Sequence, residues 1–158
     1  MKRNEQLKTL SWEHHDGLVV AFRLQQGLKK GTSMNILKQY ILHVWETVLR
    51  HHFWKEEEII NPHLEKSEQG LIIKRQMMAD HHTFRDMIDA LEKNSTGPDL
   101  IGKFADTLNR HIRFEERQLF PFIETNTSQT ELVKMGVFLR DYHSTTRHNW
   151  QPVFWSTE

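Results

Sequence analysis

The sequence predicts an all-α protein: an up-down-up-down four-helix bundle with an additional C-terminal helix. Three observations carry that prediction. The 158 residues include only 7 glycines and 4 prolines, so helix breakers are few, and those present are clustered. Between the clusters, apolar residues recur at steps of three and four, the period of a helix with one buried face. No alternation of apolar and polar residues competes with that period.

Each element follows from its boundaries. Ser11, ahead of Trp12-Glu13, is placed to cap a first helix near 12–30. Gly31-Thr32-Ser33 closes it, and Ser33 caps a second helix over 34–60, where Ile41, Val44, Trp45, Val48, Leu49 and His52 share a face. Asn61-Pro62 stops that helix, because proline cannot continue the hydrogen-bond ladder. A third helix near 68–93 ends at Asn94-Ser95-Thr96-Gly97-Pro98, the clearest loop in the chain. The fourth, near 99–123, carries Leu100, Phe104, Leu108, His111 and Phe114 on one face; Pro121 and the polar run Thr125 to Gln129 mark its boundary. The fifth, near 129–142, offers Leu132, Val133, Met135, Val137, Phe138 and Leu139, apolar enough to dock on the others. Short connections between long helices favour antiparallel neighbours. Residues 10–124 are therefore expected to form the bundle, and 125–158 a helix and tail packed on it.

Composition excludes several functions. The 21 Lys and Arg balance 21 Asp and Glu, so no cation excess exists to displace counterions from nucleic acid. The absence of cysteine removes disulfides, thiolate metal sites, iron–sulfur clusters and cysteine nucleophiles. Met1 to Leu10 is charged and polar, unlike a signal peptide, and no apolar run approaches the ~18–20 residues needed to cross a bilayer. A soluble, cytoplasmic protein with no nucleic-acid or membrane partner is expected. The unusual number is 11 histidines.

The histidines lie in an internal repeat. His52 to Pro62 and His111 to Pro121, 59 residues apart, both read His, three residues, Glu-Glu, four residues, Pro. A His and a Glu at i and i+4 project from one helix face, one turn apart. A second recurrence pairs Glu13-His14-His15 with Asp80-His81-His82. Adjacent helical residues point about 100° apart, so one histidine of each doublet faces the core. His15 leads to Leu18 and Phe22 at i+3 and i+7, and His81 to Phe84 and Ile88 at the same offsets; both are expected inward. His82 leads to Arg85 and Asp89, a solvated face. Reflection across hairpin turns supports one level for all four. The midpoints of 15 and 52, of 52 and 81, and of 81 and 111 fall at Ser33, Ser67 and Thr96, beside or inside predicted breaks.

A buried pair of glutamates costs several kcal/mol of lost hydration for each ionised carboxylate. No Lys or Arg is expected on the same faces close to both, so metal cations are the expected counter-charge. Four imidazoles and two carboxylates exceed a closed tetrahedral zinc site and suit two metals, each with two histidines, bridged by both carboxylates. Mixed N and O ligation favours iron, with manganese or zinc as substitutes. The candidate ligands are His15, His52, Glu56, His81, His111 and Glu115. His14, His51, His82, Glu57 and Glu116 are read as exposed or behind the ligands, and His43, His63, His143 and His148 as ordinary polar residues.

This set resembles the hemerythrin family, in its HHE cation-binding branch, over roughly residues 10–124. The resemblance implies a non-haem di-iron centre with Glu56 and Glu115 bridging, His15 and His52 on one iron, and His81 and His111 on the other. It also implies a small oxidant as partner: dioxygen, peroxide or nitric oxide, which the centre binds, senses or reduces. An iron-holding or metal-responsive module without turnover is the alternative. Oxygen carriers of the family have a further histidine one turn before the third-helix ligand, where this chain has Met77. They also usually place an Asp five residues after the last histidine, where this chain has Glu115 at four. One open coordination position, and reactivity rather than oxygen carriage, are expected to follow.

Overall fold

A computed structural model describes residues 2–93, 97–141 and 150–156. Asn94 to Thr96 of the predicted loop, residue 142 of the fifth helix, and His143 and His148 lie outside the described residues. Among those described, every regular element is helical.

Helix α1 spans Lys8–Lys29, four residues earlier than expected. Asn4, not Ser11, starts it: the Asn4 side chain accepts from the Gln6 N–H and caps a short 3₁₀ turn, Glu5–Leu7, that leads into the helix. Gly31, at φ +73°, makes the turn that follows, a conformation costly for residues with a Cβ. Helix α2 is continuous over 34–60; Ser33 stands at its N-cap, but its hydroxyl makes no capping bond. A 3₁₀ turn, Asn61–His63, closes it at Pro62 as expected. Helix α3 spans Glu68–Glu92, with the Ser67 hydroxyl accepting from the Gly70 N–H at 3.1 Å. Gly70 must be glycine here, because a Cβ would lie 2.2 Å from the Leu64 carbonyl oxygen.

Helix α4 runs over 98–126, straight through Pro121, where a boundary was expected. The reason is local. From Glu115 to Leu119 the helix widens into a π turn, the Phe120 N–H reaching the Glu115 carbonyl five residues back. That widening makes room for the proline ring, which in a regular helix clashes with the carbonyl four residues before it. The first repeat does the same: Glu56–Ile60 is a π turn, and the Asn61 N–H reaches the Glu56 carbonyl. Helix α5 spans Gln129–Asp141 and buries Leu132, Met135 and Leu139, while Val133, Val137 and Phe138 stay exposed.

Contacts between neighbours run in opposite order along the chain. Ser11, His14 and Gln25 of α1 meet Glu116, Glu115 and Asp106 of α4. Glu13 and Arg23 of α1 meet His52 and Tyr40 of α2. Two apolar clusters fill the interior. One holds Val20, Leu24, Leu49, Phe53, Phe84, Ile88, Leu108 and Ile112. The other holds Leu7, Leu10, Ile60, Ile73, Met77, Leu119 and Phe120, with the buried residues of α5. Along each of α1 to α4 the two clusters are separated by one turn of buried polar residues. That layer positions the site.

Candidate metal centre

Four helices contribute to the polar layer: His14 from α1, His52 and Glu56 from α2, His81 from α3, and His111 and Glu115 from α4. All six are buried. Their donor atoms form two overlapping groups, His14–His52–Glu56–Glu115 and Glu56–His81–His111–Glu115. Within each group the four atoms lie within 4.8 Å of one another, and both groups share the two glutamates. The Nε2 atoms of His52 and His111 stand 3.3 Å from Glu56 Oε2 and Glu115 Oε1 on their own helices, as the i, i+4 spacing requires. His81 Nε2 lies 3.1 Å from Glu56 Oε1, and His14 Nε2 2.9 Å from Glu115 Oε1. Nε2 of His52 and His111, and Oε2 of Glu56 and Glu115, are buried without a hydrogen-bond partner. Buried polar atoms are rarely left so, and four converging on one space fit a set of metal donors.

The first-helix expectation is corrected: His15 is exposed and His14 turns inward. Phe22, used to orient His15, is itself 55 % exposed. A usable signal was present, because aligning Glu13-His14-His15 with Asp80-His81-His82 puts His14 opposite the inward His81. His14→Ala is therefore expected to lower metal content, and His15→Ala to leave it unchanged, by elemental analysis of the purified variants.

Of the groups that hold the imidazoles from behind, sequence reasoning named Glu57 and Glu116 as exposed or behind the ligands and missed Glu13 and Asp80. His52 Nδ1 donates to Glu13 at 2.7 Å, and His111 Nδ1 to Asp80 at 2.9 Å. His81 Nδ1 donates to Glu57 at 2.9 Å, and His14 Nδ1 faces Glu116 at 3.4 Å. With a carboxylate at Nδ1 of His52, His81 and His111, and one facing Nδ1 of His14, Nε2 points at the centre, the orientation a ligating histidine needs. The outer carboxylates are anchored in turn. Glu13 takes Lys55 at 2.7 Å, Glu57 takes Arg85 at 2.6 Å, and Glu116 takes Arg3 at 3.0 Å and the Ser11 hydroxyl at 3.2 Å. Lys55, with 0 % of its surface exposed, puts a cation inside the protein, on Glu13 rather than on the Glu56 and Glu115 pair. Phe53 stacks on His81 and Phe120 on His14, sealing the layer from the apolar cluster on each side.

Charge in the metal-free site follows from this arrangement. Burial pushes His52 and His111 toward the neutral form, but the facing carboxylates (Glu56 and Glu13; Glu115 and Asp80) override it and raise both to about 10. Glu13 is raised by burial, yet His52 and Lys55 hold it down at about 2. Histidines raised above their ordinary 6.5 stabilise the fold below that pH, and the gain is lost as pH rises through about 10. Glu13 contributes above its ordinary 4.5 and loses that contribution as pH falls through about 2. Urea unfolding of the metal-free chain should thus find maximal stability between pH 4.5 and 6.5 and a steady decline from 6.5 to 10. A flat profile over that upper range would contradict the assigned charges.

Searches of curated proteins and of solved structures found no match. No helix among the described residues is long and apolar enough to cross a membrane. Residues 7–123 match the family profile of the hemerythrin HHE cation binding domain. The matched span includes all six inward donors and the four carboxylates behind the rings. The chain belongs to the hemerythrin HHE cation-binding family.

Proposed function

We propose that this chain is an up-down-up-down four-helix bundle holding a non-haem di-iron centre that binds, senses or reduces a small oxidant: dioxygen, peroxide or nitric oxide. In this reading His14, His52, Glu56, His81, His111 and Glu115 would hold the metals, Glu56 and Glu115 being common to both donor groups. The observation that carries it is the pair of donor groups sharing both glutamates, each group mixing two imidazoles with two carboxylates. Manganese or zinc can occupy such donors, but mixed N and O ligation with vacant positions suits iron best. When bound, the metals supply the redox change and the open positions for the oxidant.

The rest falls to the protein's own residues. Glu13, Asp80, Glu57 and Glu116 hold the rings so that Nε2 faces inward, and Lys55, Arg85 and Arg3 hold those carboxylates. Phe53, Phe84 and Phe120 exclude bulk water. A groove of about 650 Å³ between α3 and α4, with Asp80, Gln76 and Phe114 in its wall, brings solvent close to the His111 side and supports small-ligand access. Met77 is wholly buried in the second apolar cluster, so the additional histidine of oxygen carriers has no equivalent there.

The test is stopped-flow mixing of the reduced, iron-loaded chain with oxygenated buffer. Oxidation to the ferric spectrum should be fast and not reversed by removing oxygen. Met77→His, which places a nitrogen one turn before His81 on the same face, should slow it. Reversible oxygenation of the unmodified chain, or no effect of Met77→His, would count against an open position. Absence of iron after anaerobic reconstitution would overturn the reading altogether.

A further inference from the structure

The two halves of the centre repeat one another: Glu13, His14, His52, Glu56 and Glu57 correspond to Asp80, His81, His111, Glu115 and Glu116. The outer carboxylates play similar parts, Glu57 and Glu116 each taking an arginine, although Arg3 is shared between Glu116 and Glu124. Position 55 breaks the match, because its counterpart 59 residues on is Phe114. Glu13 is therefore neutralised inside the protein by the ammonium of Lys55 at 2.7 Å, with Lys55 fully buried. Among the described residues Asp80 has no such partner. It takes Gln76 Nε2 at 3.0 Å, and the guanidinium of Arg110 stands 3.9 Å away with a side chain 69 % exposed, where water screens it.

Resting on the two-metal reading, we infer that Lys55 makes the two positions unequal, so that the His81–His111 position fills first and holds its ion more tightly. That position faces one negative charge, Asp80, that no buried cation offsets. The His14–His52 position faces Glu13 already compensated by Lys55. The two bridging glutamates are common to both and do not discriminate. One uncompensated charge 2.9 Å behind a ligand's ring, on a side chain buried except where it borders the groove, favours a divalent ion there by roughly tenfold. Lys55 touches no donor atom of the centre; it acts through Glu13 and is a positioning residue.

The test is cobalt(II) titrated into the metal-free full chain and followed by visible absorption. Two steps are expected, the first tighter by roughly tenfold. His52→Ala should keep the tight step and lose the weak one, and His111→Ala the reverse. Lys55→Met should tighten the second step toward the first, because Glu13 is left uncompensated. Asp80→Asn should loosen the first toward the second; it leaves no buried cation unpaired and serves if Lys55→Met does not fold. Two equal steps in the unmodified chain, a tight step surviving His111→Ala, or an unchanged gap in Asp80→Asn would overturn the inference while leaving two-metal binding intact. Saturation below two ions in the folded chain would instead refute the two-metal reading on which it rests. A purely structural role for Lys55 would shift the melting temperature and leave the gap between the steps unchanged.

Discussion

Glu56→Ala is expected to lose both metal ions, where His52→Ala loses one. The difference follows from membership: Glu56 supplies an oxygen to both donor groups, and His52 a nitrogen to only one. Without Glu56 each group retains three donors, its net negative charge falls, and both positions lose one of the two carboxylates that neutralise a pair of close cations. Glu115→Ala should behave alike, by the same membership. The measurement is elemental analysis after anaerobic reconstitution with ferrous iron, with circular dichroism to show that the helices persist. Retention of one ion by Glu56→Ala would mean that the carboxylate serves a single position, and the shared-bridge arrangement would be wrong.

Glu13→Ala is expected to destabilise the metal-free chain by about 3–5 kcal/mol, the cost of leaving a buried charge without its partner. Lys55 is wholly buried and meets Glu13 at 2.7 Å, and Glu13 also receives the Nδ1–H of His52 at 2.7 Å. One truncation therefore orphans two buried donors. Urea unfolding without metal separates this loss from any effect of occupancy. The double variant Glu13→Leu/Lys55→Met should recover much of the stability, since apolar replacement of a buried ion pair is often neutral. It should not recover the orientation of His52, so metal content should stay low. A loss below about 1 kcal/mol in Glu13→Ala would show that water reaches Lys55 and that the pair is not closed off.

The facing of His14 shows where legibility ended. On α2, α3 and α4 the core faces carry large residues, such as Ile41, Trp45, Phe53, Phe84, Ile88, Phe104 and Leu108, and periodicity reports them directly. On α1 the inward stripe runs Leu10, His14, Gly17, Ala21 and Leu24. Gly17 sits where a Cβ would meet Ile112 of α4 at 2.6 Å, so the close approach of the two helices selects small residues there. Meanwhile Trp12 and Phe22 lie outside, 61 % and 55 % exposed. Counting apolar bulk thus turned the helix by one residue. The repeat, which compares positions rather than hydrophobicity, carried the correct answer.

The sequence by itself determined the all-helical class, the breaks at Gly31 and Pro62, and the family, through two His-x-x-x-Glu-Glu segments at equal spacing. Those are properties of period and local chemistry, which travel with the chain whatever it packs against. Only the tertiary structure decided which side of α1 faces the centre, that Lys55 lies buried against Glu13, and that Glu13 and Asp80 stand behind His52 and His111. Each of these depends on partners 31 to 101 residues away. Helical spacing says which residues of one helix share a face. It takes the neighbouring helix to say what that face meets.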